Sequence, residues 1–224
     1  MGKTPPAARR RLFPAFEDLE GIAGYGVRGE KNRILDLYHA PPEGGAVVCF
    51  DECGPLELRP LHGRSWQRRR HPKRLRATYR RLEGTEQLLA FYDVHAKCLV
   101  GEVHKRKTTT DLLEVFHKLR ACYPASTRLY VVMDNLSSHK TGLLAGLMAA
   151  NNMEAVFTPT YSSWLNAIES HFSHVRRFTC QVTDDRDHQT RRQRIRDYLL
   201  WWNKEANSDC SDLALFMSIH LDRH

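Results

Sequence analysis

The sequence predicts an α/β protein with a mixed sheet flanked by helices, and three observations carry that prediction. Two compact apolar runs, 46–50 and 129–133, are rich in β-branched residues and each ends on an acid, Asp51-Glu52 and Asp134. Segments 87–93 and 97–104 read as two strands joined by a tight turn at His95-Ala96. Helical periodicity separates the remaining strands, giving the order strand, hairpin, helix, strand, helix, strand, helix, helix.

Each element has a local reason. A short helix is expected over 30–38, and Pro41-Pro42-Glu43-Gly44-Gly45 turns the chain into the first strand. Thr109 and Thr110 are expected to cap a helix over 111–122, where Leu112, Val115, Phe116 and Leu119 form one stripe. Pro124 stops it. A helix over 141–151, a strand over 154–158, a long helix over 164–178 and an Arg-rich helix over 187–203 complete the pattern. Residues 1–45 read as a basic, Gly- and Pro-containing lead-in with little core, 46–207 as the folded domain, and 208–224 as a tail.

Composition narrows the function classes. The chain has 224 residues, 42% of them hydrophobic, which argues against disorder throughout. It has no apolar run long enough for a membrane span and no secretory signal, so a cytoplasmic protein is expected. Six scattered cysteines without a CxxC pair suit reduced thiols better than a zinc site. The net charge of +8 favours a polyanionic partner.

Three acids are placed for chemistry. Asp51 and Asp134 follow apolar strands, and open α/β sheets build sites at the carboxyl ends of their strands. Two carboxylates side by side repel unless a divalent cation joins them, although a strand-end Asp also serves as a simple turn former. Glu169 follows Asn166 in the N-x-x-E form of a capping box, so a helix-start role competes with a ligand role. On that helix Ile168, Phe172 and Val175 form the apolar stripe, and Glu169 lies at its edge.

The runs Val47-Val48-Cys49-Phe50-Asp51-Glu52 and Val131-Val132-Met133-Asp134-Asn135 with His139 resemble signature blocks of one protein family. So does Thr158-Pro159-Thr160-Tyr161-Ser162-Ser163-Trp164-Leu165-Asn166-Ala167-Ile168-Glu169. The family is that of bacterial insertion-sequence transposases of the insertion-sequence six-thirty type, in the mariner superfamily. The resemblance implies an RNase H-like fold and a D-D-E triad of Asp51, Asp134 and Glu169, the last two separated by 34 residues as in that superfamily. It further implies two Mg²⁺ (or Mn²⁺) ions held by the triad, clamping the attacking and leaving oxygens of an in-line phosphodiester displacement. Asn135, His139 and Asn166 are expected to support those ligands from behind.

Segment 64–81 is expected to hold DNA. It carries Arg64, Arg68, Arg69, Arg70, Lys73, Arg74, Arg76, Arg80 and Arg81 without one acid, and such repulsion is relieved by a polyanion. A second, weaker basic run is Arg191-Arg192-Gln193-Arg194-Ile195-Arg196. The expected activity is DNA strand cleavage and strand transfer on double-stranded element ends and target, with a homodimer admitted and a nucleoid-associated setting. A metal-dependent endonuclease without strand transfer, or an inactive DNA-binding remnant, are the rival readings. The resemblance also implies a helix-turn-helix reader of element ends, and residues 1–45 are not expected to form its two amphipathic helices. The chain is therefore expected to be a catalytic-domain fragment or to rely on recognition from elsewhere.

Overall fold

The first strand is longer than its apolar run. It spans Gly45–Glu57 (β1) rather than 46–50, so Asp51 lies within a strand and not at its end. The computed structural model describes residues 25–58, 70, 84–181 and 183–206, and of residues 25–28 the backbone alone. Helix α1 (Tyr25–His39) precedes β1, and β2 (Thr85–Asp93) and β3 (Cys98–His104) form the hairpin. Then come α2 (Thr109–Ala121), β4 (Arg128–Met133), α3 (Gly142–Ala150), β5 (Met153–Phe157), α4 (Ile168–Val175) and α5 (His188–Ala206).

The sheet order is β3-β2-β1-β4-β5. β1 pairs antiparallel with β2 and parallel with β4, so β1 is where the two pairing senses meet. The parallel ladder ends at Cys49↔Val132, while the antiparallel ladder runs on through Asp51↔Ala90 and beyond. Asp51 therefore sits where β4 has stopped and one flank of β1 is open. Sites form at such openings in α/β sheets.

Alternation along the strands divides the core into two layers. Val47, Cys49 and Cys53 pack with Ile34 and Leu37 of α1, with Ile168, Phe172 and Val175 of α4, and with Ile195 and Leu199 of α5. Val48 and Phe50 face the opposite layer, with Leu112, Val115, Phe116 and Leu119 of α2 and Leu144 and Met148 of α3. Phe50, Phe91 and Phe116 meet there with ring centroids 4.9–5.3 Å apart. Deleting such a ring costs about 3–5 kcal/mol, so the strand under Asp51 and Glu52 is firmly held. At the sheet edge, the buried Asn203 amide pairs both ways with the Leu99 backbone, at 2.9 and 2.8 Å. That covers part of an edge strand that would otherwise invite pairing.

Several sequence expectations shift. The α2 cap is Thr108 rather than Thr109 or Thr110, because the Thr108 hydroxyl and the Asp111 carboxylate reciprocate in a capping box. The helix expected over 164–178 is broken into a 3₁₀ turn (Ser163–Leu165), α4, and a π-helical turn (Arg176–Cys180). α1 buries Ile34 and Leu37, so the back half of the lead-in contributes to the core. Cys98 is disulfide-bonded, not a reduced thiol. Among the described residues no helix is long and apolar enough to cross a membrane.

Candidate active site

Asp51 and Asp134 approach from neighbouring strands. Asp134 is two residues beyond Val132 and Asp51 two beyond Cys49, the last parallel pair, so both project toward the α4 layer. Asp51 is buried, with 7% of its surface exposed, and Asp134 is half-buried. Glu169 stands in the first turn of α4, where the helix dipole favours an anion, and it is exposed.

The loop that delivers α4 is tied to the sheet. Asn166 does not form the capping box its spacing suggests, since the helix has no side-chain cap. Its buried Nδ2 instead donates to the Phe50 carbonyl at 2.9 Å, fastening the start of α4 beside Asp51. The Asn166 Oδ1 is buried without a partner. From α1, the Tyr38 hydroxyl donates to the Leu165 carbonyl at 2.8 Å and accepts from the Ala167 amide at 3.3 Å. The Asn135 amide donates to the Thr158 carbonyl, joining the loop after β4 to the end of β5.

The electrostatics are uneven. Burial pushes the Asp51 carboxyl up to about 7, assisted by the charges of Glu169, Asp134 and Glu52, although the Glu52 amide donates to its Oδ1 at 2.7 Å. Burial acts the same way on Asp134, but the His139 hydrogen bond and the Leu136 amide outweigh it and hold that carboxyl below its ordinary range. Burial would lower His139, yet its bonds to Asp134 and Glu52 push it up to about 9. Its Nδ1 lies 2.7 Å from Asp134 Oδ1 and its Nε2 lies 3.2 Å from Glu52 Oε1. The Lys107 ammonium stands 3.5 Å from Glu52 Oε2 and its charge also lowers Asp134.

Asp51, Asp134 and Glu169 thus share one field, and three hard carboxylate donors suit a hard divalent cation. As placed, no three His, Cys, Asp or Glu side chains among the described residues are gathered tightly enough to hold a metal ion. The donor chemistry fits a cation that draws them in: Asp51 is buried beside two other acids, and its carboxylate form needs positive charge nearby.

Of segment 64–81, Arg70 alone is described, exposed and with a positive φ of 75°. Arg64, Arg68, Arg69, Lys73, Arg74, Arg76, Arg80 and Arg81 lie outside the described residues, as does the tail 208–224. The second basic run is largely spent inside the fold. Arg191 is buried against Asp185, Arg194 pairs with the same acid at 2.7 Å, and Arg192 pairs with the buried Glu86. Glu52 and Lys107 were missed from sequence. Strand alternation held the signal for Glu52, since the residue after Asp51 must project into the opposite layer.

Residues 46–193 match the family described as DDE superfamily endonuclease. Among solved structures, the chain is similar to the Mos1 strand transfer complex, with a TM-score of 0.57, 16% identity, and coverage of 100% of this chain and 64% of that one. The mariner Mos1 paired end complex with Mg aligns at a TM-score of 0.58 and 16% identity, over 97% of this chain and 64% of that one. The corresponding complex with Mn aligns at 0.54 and 15%, over 100% and 65%. At such identity the likeness establishes the RNase H-like α/β fold. The chain spans about two thirds of the length of those Mos1 chains or slightly less. None of the curated proteins matches it.

Proposed function

The chain belongs to the DDE superfamily endonuclease family, and from that premise we propose that it is the catalytic domain of a DNA transposase that cuts DNA and joins the cut end to a target. One observation carries the reading: Asp51, Asp134 and Glu169 reach one field from β1, the end of β4 and the start of α4, at the open flank of the sheet. We assign the catalytic and metal-binding roles to these three. Two Mg²⁺ or Mn²⁺ ions bound there would activate the attacking oxygen and stabilise the leaving one.

The chain's own residues supply the rest. Asn166 and the Glu52 amide fix the ligand-bearing backbone and the Asp51 carboxylate. His139 orients Asp134, and Lys107 adds positive charge at the rim where a phosphate would arrive. Arg64, Arg68, Arg69, Arg70, Lys73, Arg74, Arg76, Arg80 and Arg81 are proposed to hold double-stranded DNA, both element ends and target. A bacterial origin, the insertion-sequence six-thirty type, a cytoplasmic, nucleoid-associated setting and assembly as a homodimer complete the proposal. The similar Mos1 structures are a strand transfer complex and paired end complexes with Mg or Mn, which supports DNA and divalent metal as partners.

The test uses duplexes with pre-cut 3′ ends and Mg²⁺ or Mn²⁺. The wild-type protein is expected to join them to a target duplex. Asp51→Asn, Asp134→Asn and Glu169→Gln should each lose roughly 10³-fold in rate, about 4 kcal/mol of barrier, while still folding. Cleavage without joining would favour the endonuclease reading, and DNA binding without either would favour the remnant. Full metal-dependent activity in any of the three variants overturns the assignment.

A further inference from the structure

Glu52 is linked to both aspartates of the candidate site, to Asp51 directly and to Asp134 through His139. Its backbone N–H donates to Asp51 Oδ1 at 2.7 Å. Its side chain points into the opposite layer of the sheet, shared with Phe50, and is 4% exposed. There Oε1 lies 3.2 Å from His139 Nε2, and the other ring nitrogen lies 2.7 Å from Asp134 Oδ1. His139 itself is fully buried, edge-on to Phe50 with ring centroids 5.3 Å apart.

The arrangement has a mechanical consequence. An imidazole ring anchored at one nitrogen still swings about its bond to Cβ. Anchored at both, with the Phe50 ring packed edge to face against it, it has one orientation. Asp134 follows the last residue of β4, where ladder hydrogen bonds have ended, so its carboxylate needs an external guide. The Leu136 amide at 3.2 Å and the His139 ring supply it, both engaging Oδ1 and leaving the second oxygen outside these two contacts. Groups behind a metal ligand fix its direction, and their loss typically costs about 10–100-fold in metal affinity or activity.

We propose that Glu52 is a positioning residue for the divalent-metal site, acting through His139 to aim the Asp134 carboxylate. The inference rests on the reading of Asp51, Asp134 and Glu169 as metal ligands. It adds a residue from the far layer of the sheet, whose side chain touches neither DNA nor metal.

Mn²⁺ binding to the metal-free protein, followed by electron paramagnetic resonance of the free ion, tests it without any turnover. Glu52→Ala should weaken Mn²⁺ binding roughly 10–100-fold. Glu52→Gln keeps an oxygen acceptor at the same reach and should stay within about threefold of the wild type, by the same principle. His139→Phe fills the space against Phe50 without either nitrogen and should match Glu52→Ala. The double variant should lose no more than either single change, because both sever one connection. Wild-type binding in Glu52→Ala, equal loss in Glu52→Gln, or additive losses would each overturn the proposal. If Glu52→Ala fails to fold, the Glu52→Gln and His139→Phe pair decides by the same criteria. The underlying reading fails separately, if the wild type binds no Mn²⁺ or if Asp134→Asn binds it unchanged.

Discussion

Two buried acids in this chain are treated in opposite ways. Asp185, 3% exposed, is met by the Arg191 guanidinium and by Arg194 at 2.7 Å. Asp51, 7% exposed, receives one backbone amide, and among the described residues no Lys, Arg or His pairs with it. Its nearest charged influences are three more carboxylates. A buried charge without a partner is costly, and folds normally avoid it. Among the described residues, cations answer the acid that joins α5 to its preceding loop, and none answers the acid at the open flank of β1. Charge left unneutralised among the described residues marks where a ligand of opposite charge belongs, and the nine basic residues of 64–81, read from sequence, pose the same question with reversed sign.

The largest effect is expected on that segment. Arg68→Ala, Arg69→Ala, Arg70→Ala and Lys73→Ala combined should flatten the log K against log salt slope for random duplex DNA by up to about 3.6, at roughly 0.9 per phosphate. Triad variants should leave the slope unchanged. A salt titration of binding decides it, and an unaltered slope in the fourfold variant means these charges are answered by protein rather than by DNA. Next in size is the compensated acid. Arg191→Met keeps most of the volume and removes the buried cation, so stability in urea should fall by about 3–5 kcal/mol. Mn²⁺ binding by the folded variant should be unchanged. A loss below about 1 kcal/mol would erase the contrast with Asp51.

The Asp51 side of this contrast is legible in sequence, and the Asp185 side is not. The apolar runs that carry Asp51 and Asp134 are easy to read, and the order of elements along the chain follows from periodicity. The length of β1 was not legible. Its second half is polar and is held by pairing with β2, which no local pattern announces. Asn166 and Glu169 matched a capping box, but Asn166 is claimed by a carbonyl 116 residues away in the chain. Arg191, Arg192 and Arg194 looked like a DNA-facing stripe because Asp185 and Glu86, their partners, lie outside the helix. Long-range partners decide whether a charge is free, and a single sequence does not show them.

The pH dependence of the metal-free protein gives a third, intermediate effect. Burial raises the folded-state pKa of Asp51 from 3.8 to about 7. A raised folded-state pKa means that the folded protein holds the proton more tightly than the unfolded chain does. Its stabilising contribution is therefore full below about pH 4 and is lost as pH rises through about 7. Urea unfolding in a chelator should show the wild type losing a few kcal/mol relative to Asp51→Asn between about pH 4 and pH 7. Parallel pH profiles for the two proteins would show that Asp51 is compensated after all.

The smallest effect isolates burial as the variable. Glu154 on β5 is compensated like Asp185, by Arg128 at 2.7 Å and by Arg33 of α1. Its partners, however, are 48% and 53% exposed, so water screens the attraction and long side chains lose entropy in holding it. Two guanidiniums hold the Glu154 carboxyl below its ordinary range despite some burial, yet such exposed pairs contribute about 0–1 kcal/mol each. Glu154→Gln should therefore cost less than about 1 kcal/mol, and that cost should shrink further in about 1 M salt. The loss in Arg191→Met should persist in the same salt, because ions do not reach a fully buried pair. If Glu154→Gln instead proves as damaging as Arg191→Met, the number of cations around an acid governs its worth. If it does not, burial governs, and Asp51, buried with no cation paired to it among the described residues, then has much to gain from an arriving cation.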